Sequence, residues 1–480
     1  MSASNARSLQ LVSNDVPSIF SFSDSNFLVH RKNTPTKPKL NLSLRRVLWA
    51  AITDHTVTVH ALTAQRGIVK AEGKHSDEDK AQAEKWAQEL MNAAYAGIQP
   101  QRRLLVVINP HGGPGKAAQI YRKKVEPILN AARCKHKAMI TEYHEHAMKI
   151  GKELPVDEYD AVLCVSGDGI IYELYNGMLE HSTPMKALRT PIVPIPAGSG
   201  NGMSLNLHGL KDGQDVGIAT LAAIKGRPMP IDLCSVVQNN KRSLSFMSQC
   251  TGLMADVDLG TEHLRFLGSN RFVYGYLRGI VTRKTYPFSI SIKALETDKS
   301  KISANLQAFH KKDAQHLFRT GAFVDNEASL VPLQYISDDT DGWLKMEKPI
   351  SFLYAGKGAY VSRDLMQFPA SIPNDGYIDV TIQEEVPRRE MVTAMDGAEN
   401  GIGFWRESSL YYKALAYRLK PLSDHGYISV DGEKYPFGEI HVEVHQGLGT
   451  MMSCHGRYVT EVNAALSEPP RKNAYVITSR

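Results

Sequence analysis

Between residues 102 and 201 the chain repeats one pattern, and few folds accommodate it. A short apolar run ends in a glycine-rich stretch, and an amphipathic segment follows. The run LLVVI at 104–108 leads into NPHGGPGK at 109–116, AVLCV at 161–165 into SGDG at 166–169, and PIVPI at 191–195 into PAGSGN at 196–201. A fourth run, AMI at 138–140, ends in Thr141 and Glu142. Short apolar strands alternating with helices specify a parallel sheet covered on both faces. Loops leaving the carboxyl ends of such strands share one edge, where open α/β sheets bind ligands. Three glycine-rich loops distant in sequence therefore converge in space.

Glycine lets main-chain N–H groups turn toward a ligand and approach it closely, and a helix N-terminus favours an anion. The combined edge suits a polyphosphate. None of the loops is the GxxxxGK[ST] phosphate loop, because Lys116 follows too short a glycine spacing and precedes Ala117. None fits GxGxxG with its later ribose-binding acid either. Taken singly, each loop also reads as an ordinary turn, and Asp168 as a turn former between two glycines. Together on one edge they read as an anion site, with Asp168 as a catalytic acid or base or a metal contact.

At 480 residues the chain has room for two or three domains. A formal net charge of +6, without a run of five or six like charges, argues against a nucleic-acid arm and leaves anionic small molecules or an acidic membrane surface as partners. Five scattered cysteines without metal spacing read as reduced thiols of a cytosolic protein. The start, MSASNARSLQLVSNDVPSIF, lacks a basic stretch followed by an apolar core, and no run of 18 apolar residues occurs, so neither secretion nor a membrane span is expected. His144 and His146, without an evident third ligand, read as surface histidines.

Residues 1–44, rich in Ser, Asn, Pro and Lys, are expected to be poorly ordered. Residues 45–100 read as an accessory region of alternating strands and one helix, begun near Ser76 and stopped at Gly97. A helix interrupted at Pro127 should kink. After residue 229 the strands lengthen and alternate, which means one buried and one wet face, hence an antiparallel sheet and a sandwich. The charged stretch 296–347 reads mostly as an inserted loop, and 466–480 as a tail.

In order and content the three loops resemble the signature loops of the lipid kinase superfamily that includes diacylglycerol and sphingosine kinases, with a more distant likeness to NAD kinases. CTGLMADVDLGTEHLRFLGSNRF at 250–272 resembles the fourth conserved block of sphingosine kinases, and VDGE at 430–433 resembles the block that closes them. The first loop departs from the family in His111 and Pro114. The second strand end, TEYHEHA, lacks a pair of basic residues found in some relatives, which bears on nucleotide affinity more than on reaction type.

This resemblance implies an N-terminal nucleotide-binding α/β domain with a parallel sheet over 101–229. It also implies a C-terminal antiparallel β-sandwich over 230–465 that holds the lipid, with the active site in the cleft between them. ATP is the implied donor, with Mg2+ held mainly by the nucleotide and not by protein residues. Asp168 would receive the proton of the attacking hydroxyl. Asn109, Pro110, His111, Gly112, Gly113, Gly115, Thr141, Glu142, Glu173, Gly198, Ser199, Gly200 and Asn201 would contact ATP. Arg265, Arg271, Asp431, Gly432 and Glu433 would reach the phosphates from the other domain. Ser166, Gly167, Asp168 and Gly169 would face the substrate, with Asp258 and Glu262.

The spacing of Asp258, Glu262 and Arg265 predicts one helical face, with Phe266, Phe272, Val273, Tyr276 and Leu277 as apolar flanks. A solvated charged face is the plain alternative. A buried carboxylate gains from a protonated amine and loses to desolvation beside a neutral lipid, so Asp258 is the discriminating residue. The expected activity is ATP-dependent phosphorylation of the primary hydroxyl of sphingoid long-chain bases. The alternatives are a diacylglycerol or ceramide kinase and a catalytically silent lipid-binding regulator. The expected location is cytoplasmic and peripheral to a membrane, where Arg278, Arg283 and Lys284 face acidic headgroups or simply solvate a helix end; a homodimer is left open.

Overall fold

The computed structural model describes residues 7–33, 37–64, 67–267, 270–312, 330–337 and 340–460, without the side chains of 265–267. Four parallel strands lie in the order Lys135–Ile140, Arg103–Ile108, Ala161–Ser166, Ile192–Pro196. Val165 sits opposite Ile108 on one side and Ile195 on the other. All six residues of Ala161–Ser166 are buried, as an uninterrupted apolar run requires of a strand covered on both faces. The level register brings the three glycine loops out on one edge. Helices Gly169–Leu179 and Gly202–Asp212 start from two of these loops. The irregularity expected at Pro127 takes the form of a π turn, Tyr121–Val125, between short helices Ala117–Ile120 and Glu126–Ala131. Proline has no N–H to continue the regular ladder there.

The antiparallel strands expected after residue 229 continue from the parallel ones in one hydrogen-bonded sheet of 15 strands. Ile440–Ser453 joins the two parts: it meets Ile192–Pro196 in parallel and runs antiparallel to Arg227–Gln238 and Ser409–Pro421. Alternate residues of Tyr286–Glu296 are buried over most of the strand, and Phe288, Ile290 and Ile292 join Val236, Leu353, Val380, Tyr417 and Val442 in one core.

Helix Gly202–Asp212 is tied to this second region by Asn206. Its amide donates to the Tyr360 carbonyl at 2.8 Å and accepts from the Tyr360 N–H at 2.9 Å. Just upstream, buried Lys357 lies 2.9 Å from Asp232 and 2.6 Å from Asp375, and Lys413 lies 3.0 Å from both Asp375 and Asp379. Removing one member of such a cluster would strand a buried charge, so its members hold the 357–360 turn in place together.

Two expectations are corrected. The first 44 residues are largely ordered: Arg7–Ser13, Val16–Phe22, Asn26–Arg31 and Leu40–Ser43 join Val47–Thr53, Thr56–Thr63 and Gly67–Lys74 in a seven-stranded antiparallel sheet. Helix Lys80–Ala94 packs Trp86 against Phe20, Phe22 and Phe27, with ring centroids 5.6–6.3 Å apart. Polar residues alternate there with buried Leu9, Leu11, Phe20, Phe27 and Val29, and average composition conceals that period of two. Within 296–347, Lys299–His310 is a helix, because Asp298 accepts the N–H groups of Ser300 and Lys301 at its start and Ile302 and Leu306 are buried. Residues 313–329 and 338–339 of that stretch, and the tail 466–480, lie outside the described residues.

Candidate active site

The glycine loops meet main chain to main chain. A Cβ on Gly198 would stand 2.4 Å from the Cα of Gly167, and one on Gly113 would stand 2.8 Å from Gly198. Gly113 also has φ +54°, in the region that favours glycine. Asn201 fastens its own loop, accepting from the Gly198 N–H at 3.1 Å and donating to the Gly198 carbonyl at 2.9 Å. Asn109 accepts the His111 N–H at 3.0 Å. The result is a cradle from which added side chains are excluded. Asn109, Gly112, Gly113, Gly198, Ser199, Gly200 and Asn201 line one cavity with Ser166, Gly167, Asp168 and Gly169. Pro110, His111, Gly115, Thr141 and Glu142 occupy the same edge but do not line it, and the Thr141 hydroxyl turns to the Ile108 carbonyl at 3.4 Å.

Asp168 precedes helix Gly169–Leu179, and its carboxylate accepts the N–H groups of Gly202 at 2.6 Å and Met203 at 3.2 Å. Burial pushes this carboxyl up to about 6, against the pull of those two donors. Such a group is ionised at neutral pH and basic enough to accept a proton. Glu173, also on the cavity wall, is raised by burial and accepts the Ala147 N–H at 3.0 Å.

Across the cleft, Asp431, which the resemblance sends to the phosphates, lines the same cavity with its carboxylate engaged by a neighbouring turn. It accepts the Ser245 hydroxyl and the N–H groups of Phe246, Met247 and Ser248 at 2.7–3.0 Å. Buried N–H groups require acceptors, and this tight turn finds them in one carboxylate. Glu433 stays at the cleft, its Oε1 3.7 Å from where a Gly169 Cβ would stand, and Gly432 lines the same wall. Tyr172 on the helix after Asp168 meets the Tyr435 hydroxyl at 2.7 Å, which in turn meets Ser243 at 2.6 Å.

The predicted single face of Asp258 and Glu262 does not form. Helix Leu253–Asp258 stops, Gly260 passes so close to the Asp256 carbonyl that a Cβ would lie 2.4 Å from it, and Glu262 begins a separate 3₁₀ turn, Glu262–Leu267. Arg271 gathers the two acids, 3.3 Å from Glu262 and 3.7 Å from Asp258, with its guanidinium 4.4 Å from the Phe272 ring centroid. The Arg271 side chain, 7% exposed, packs against these carboxylates on the wall of the cavity that the glycine loops also line. The side chains of Arg265 and Phe266 lie outside the described residues. Ser429 donates to the other Asp258 oxygen at 2.7 Å.

Asp258, Glu262 and Arg271 line the cavity that holds Asp168, about 1220 Å³ in volume. Beyond them the wall is apolar, with Val257, Phe272, Tyr276, Met391, Met395 and Phe404. Phe272, Val273 and Tyr276 were expected there, whereas Leu277 turns outward, 48% exposed. Sequence reasoning missed the segments 361–367 and 390–411, although Met391, Ala394 and Met395 carry a readable i, i+3, i+4 spacing on helix Arg388–Met395.

The chain is similar to several known proteins. Residues 103–236 match the diacylglycerol kinase catalytic domain. Sphingoid long chain base kinase 4 of Schizosaccharomyces pombe is 30% identical over 420 residues, covering 86% of this chain and 88% of that one. Human sphingosine kinase 1 is 26% identical over 369 residues, covering 74% and 92%. Among solved structures, a diacylglycerol kinase of Bacillus anthracis aligns over 74% of this chain and 98% of its own, at 19% identity and a TM-score of 0.49. Identity of this extent, spread along nearly the whole of both chains, means that the chain belongs to the sphingoid long chain base kinase family.

Proposed function

We propose that the protein phosphorylates the primary hydroxyl of a sphingoid long-chain base, with ATP as donor and Mg2+ held mainly by its phosphates. One observation carries the reading: a single cavity runs from a glycine cradle, past a buried carboxylate, to a carboxylate pair and an apolar wall. The excluded Cβ positions at Gly113 and Gly198 suit phosphate oxygens approached by main-chain N–H groups. When bound, the nucleotide and its metal supply the transferable phosphoryl group and charge neutralisation. Asn109, Gly112, Gly113 and 198–201 hold the phosphates, and Asp168 takes the hydroxyl proton. Asp258, oriented by Ser429, receives the cationic amine, and Glu433 closes the cleft from the second region. The antiparallel part, 230–465, acts as the sandwich that houses the hydrocarbon chain, and 101–229 acts as the nucleotide domain.

A cytoplasmic enzyme that draws its lipid from a membrane needs a surface contact. Helix Asn270–Thr282 supports one: Val273, Tyr274, Leu277 and Val281 are exposed on it, Val281 by 72%, beside Arg278, Arg283 and Lys284. The test is transfer from labelled ATP to a sphingoid base in mixed micelles by the wild type and Asp168→Asn. The variant should lose roughly 10²–10⁴-fold in turnover while retaining ATP binding. Turnover near wild type in the variant would remove Asp168 from the mechanism.

A further inference from the structure

The positive charge of this chain is concentrated in acid-free stretches, one of which forms a single hairpin. Residues 25–53 contain Arg31, Lys32, Lys37, Lys39, Arg45 and Arg46 and no acidic residue, so this stretch carries +6, the net charge of the entire chain. The remainder sums to neutral, although residues 90–125, with Arg102, Arg103, Lys116, Arg122, Lys123 and Lys124, carry +6 as well, so the test sets one cationic stretch against the other. In the fold, Arg31 ends strand Asn26–Arg31, and Lys37 and Lys39 lead into Leu40–Ser43, so the cations crowd one hairpin at the edge of the N-terminal sheet. Arg31, Lys32, Lys37 and Lys39 are all exposed, and none forms an ion pair among the described residues. Arg45 and Arg46, by contrast, turn to the main-chain carbonyls of Cys454 and Leu62.

The strand register brings further groups to the same end. Ser18 lies opposite both Leu11 and Arg31, which places the Asn14-Asp15 turn beside the basic hairpin. Val12, 44% exposed, precedes that turn and pairs with exposed Lys74. Asp15 is the acid beside the basic hairpin, and Asp54 and Asp77 lie at the same end of the sheet beyond Lys74. A cluster of cations bordered by an exposed aliphatic side chain matches an acidic lipid surface, which offers both fixed negative charge and an apolar boundary. A nucleic acid would offer the first only.

We propose that this end of the N-terminal sheet docks the enzyme on membranes bearing acidic phospholipids, through Arg31, Lys32, Lys37 and Lys39 with Val12 at the rim. The preference for a lipid surface rests on the lipid-kinase reading of the cleft; the charge concentration itself does not.

The test is co-sedimentation of the full-length protein with phosphatidylcholine vesicles, with and without phosphatidylserine. Two triple variants of equal net charge are compared: Lys32→Glu/Lys37→Glu/Lys39→Glu, and Arg122→Glu/Lys123→Glu/Lys124→Glu on an exposed face elsewhere. The wild type should prefer acidic vesicles and lose that preference at high salt. The hairpin variant should bind them at least roughly tenfold more weakly, whereas the control stays near wild type. Both should phosphorylate a micellar lipid at the wild-type rate, which reports folding and tests the cleft independently of docking. Undiminished vesicle binding by the hairpin variant, equal losses in both variants, or displacement of the wild type from acidic vesicles by equimolar duplex DNA would each overturn the proposal.

Discussion

The two ends of the cleft are built by opposite means. At the end proposed to hold the nucleotide, main chain packs on main chain, since Gly113, Gly167 and Gly198 close on one another at distances that exclude a methyl group. At the end proposed to hold the lipid, side chains make the wall, contributed by the helices Asn270–Thr282 and Arg388–Met395 and by several strands. Packed main chain has no rotamers with which to absorb an extra atom, whereas Met, Phe and Tyr side chains have several. A polyphosphate presents the same shape in every cycle, and a rigid cradle suits it. A hydrocarbon chain is flexible, and a side-chain wall can adjust to it.

The sharpest way to break this contrast is to enlarge one small residue to valine at each end. Gly198→Val should displace the cradle and lower ATP affinity and turnover on the order of a hundredfold, read by nucleotide titration and initial rates. Ala394→Val on the lipid wall should shift the KM for lipid by less than about tenfold. Equal losses would erase the distinction.

Next in size is Asp258→Asn. A hydrogen bond to a charged group is worth about 1.5–3 kcal/mol, so the KM for an amine-bearing lipid should rise roughly ten- to hundredfold while the KM for ATP holds. A matching rise in the KM for ATP would mean that Asp258 serves the nucleotide end.

The pH profile sharpens the assignment of the group between the two ends. Asp168 must be ionised to accept a proton, and burial raises it to about 6. Activity should therefore fall about tenfold per pH unit below pH 6 and level off above it. An acid limb near pH 4, the ordinary carboxylate range, would contradict a buried base.

The smallest effect belongs to Tyr435→Phe, which removes the hydroxyl joining Tyr172 to Ser243. Thermal or urea unfolding should register a loss of about 0.5–1.5 kcal/mol. The KM values for both substrates should remain unchanged, because this chain ties the two ends together without lining either reaction partner.

The same contrast explains what could be read from sequence. Each glycine loop is a few consecutive residues after an apolar strand, so its conformation and its edge of the sheet follow from local rules, and Asp168 came with them. Asp431 belongs equally to a motif, yet its partners at 245–248 lie far upstream, and only the folded sheet shows that it closes that turn. The ion pairs of Arg271 with Asp258 and Glu262 were likewise not legible, because they depend on how the 253–267 segment folds back on the next helix. The lipid wall is assembled from short, separated segments whose apolar residues resemble ordinary core. The N-terminal sheet was hidden by its polar composition although its alternation was present, and the Lys299–His310 helix was hidden by charge although Asp298 marked its start.

The claim that one cavity joins phosphate chemistry to recognition of an amine is tested most directly by a substrate panel. Transfer from labelled ATP and magnesium would be measured for sphingosine, a phytosphingosine-like base, ceramide and diacylglycerol in mixed micelles. The account predicts labelling of the free-amine bases and little or none of the two neutral lipids. Labelling of ceramide or diacylglycerol at a comparable rate would contradict it.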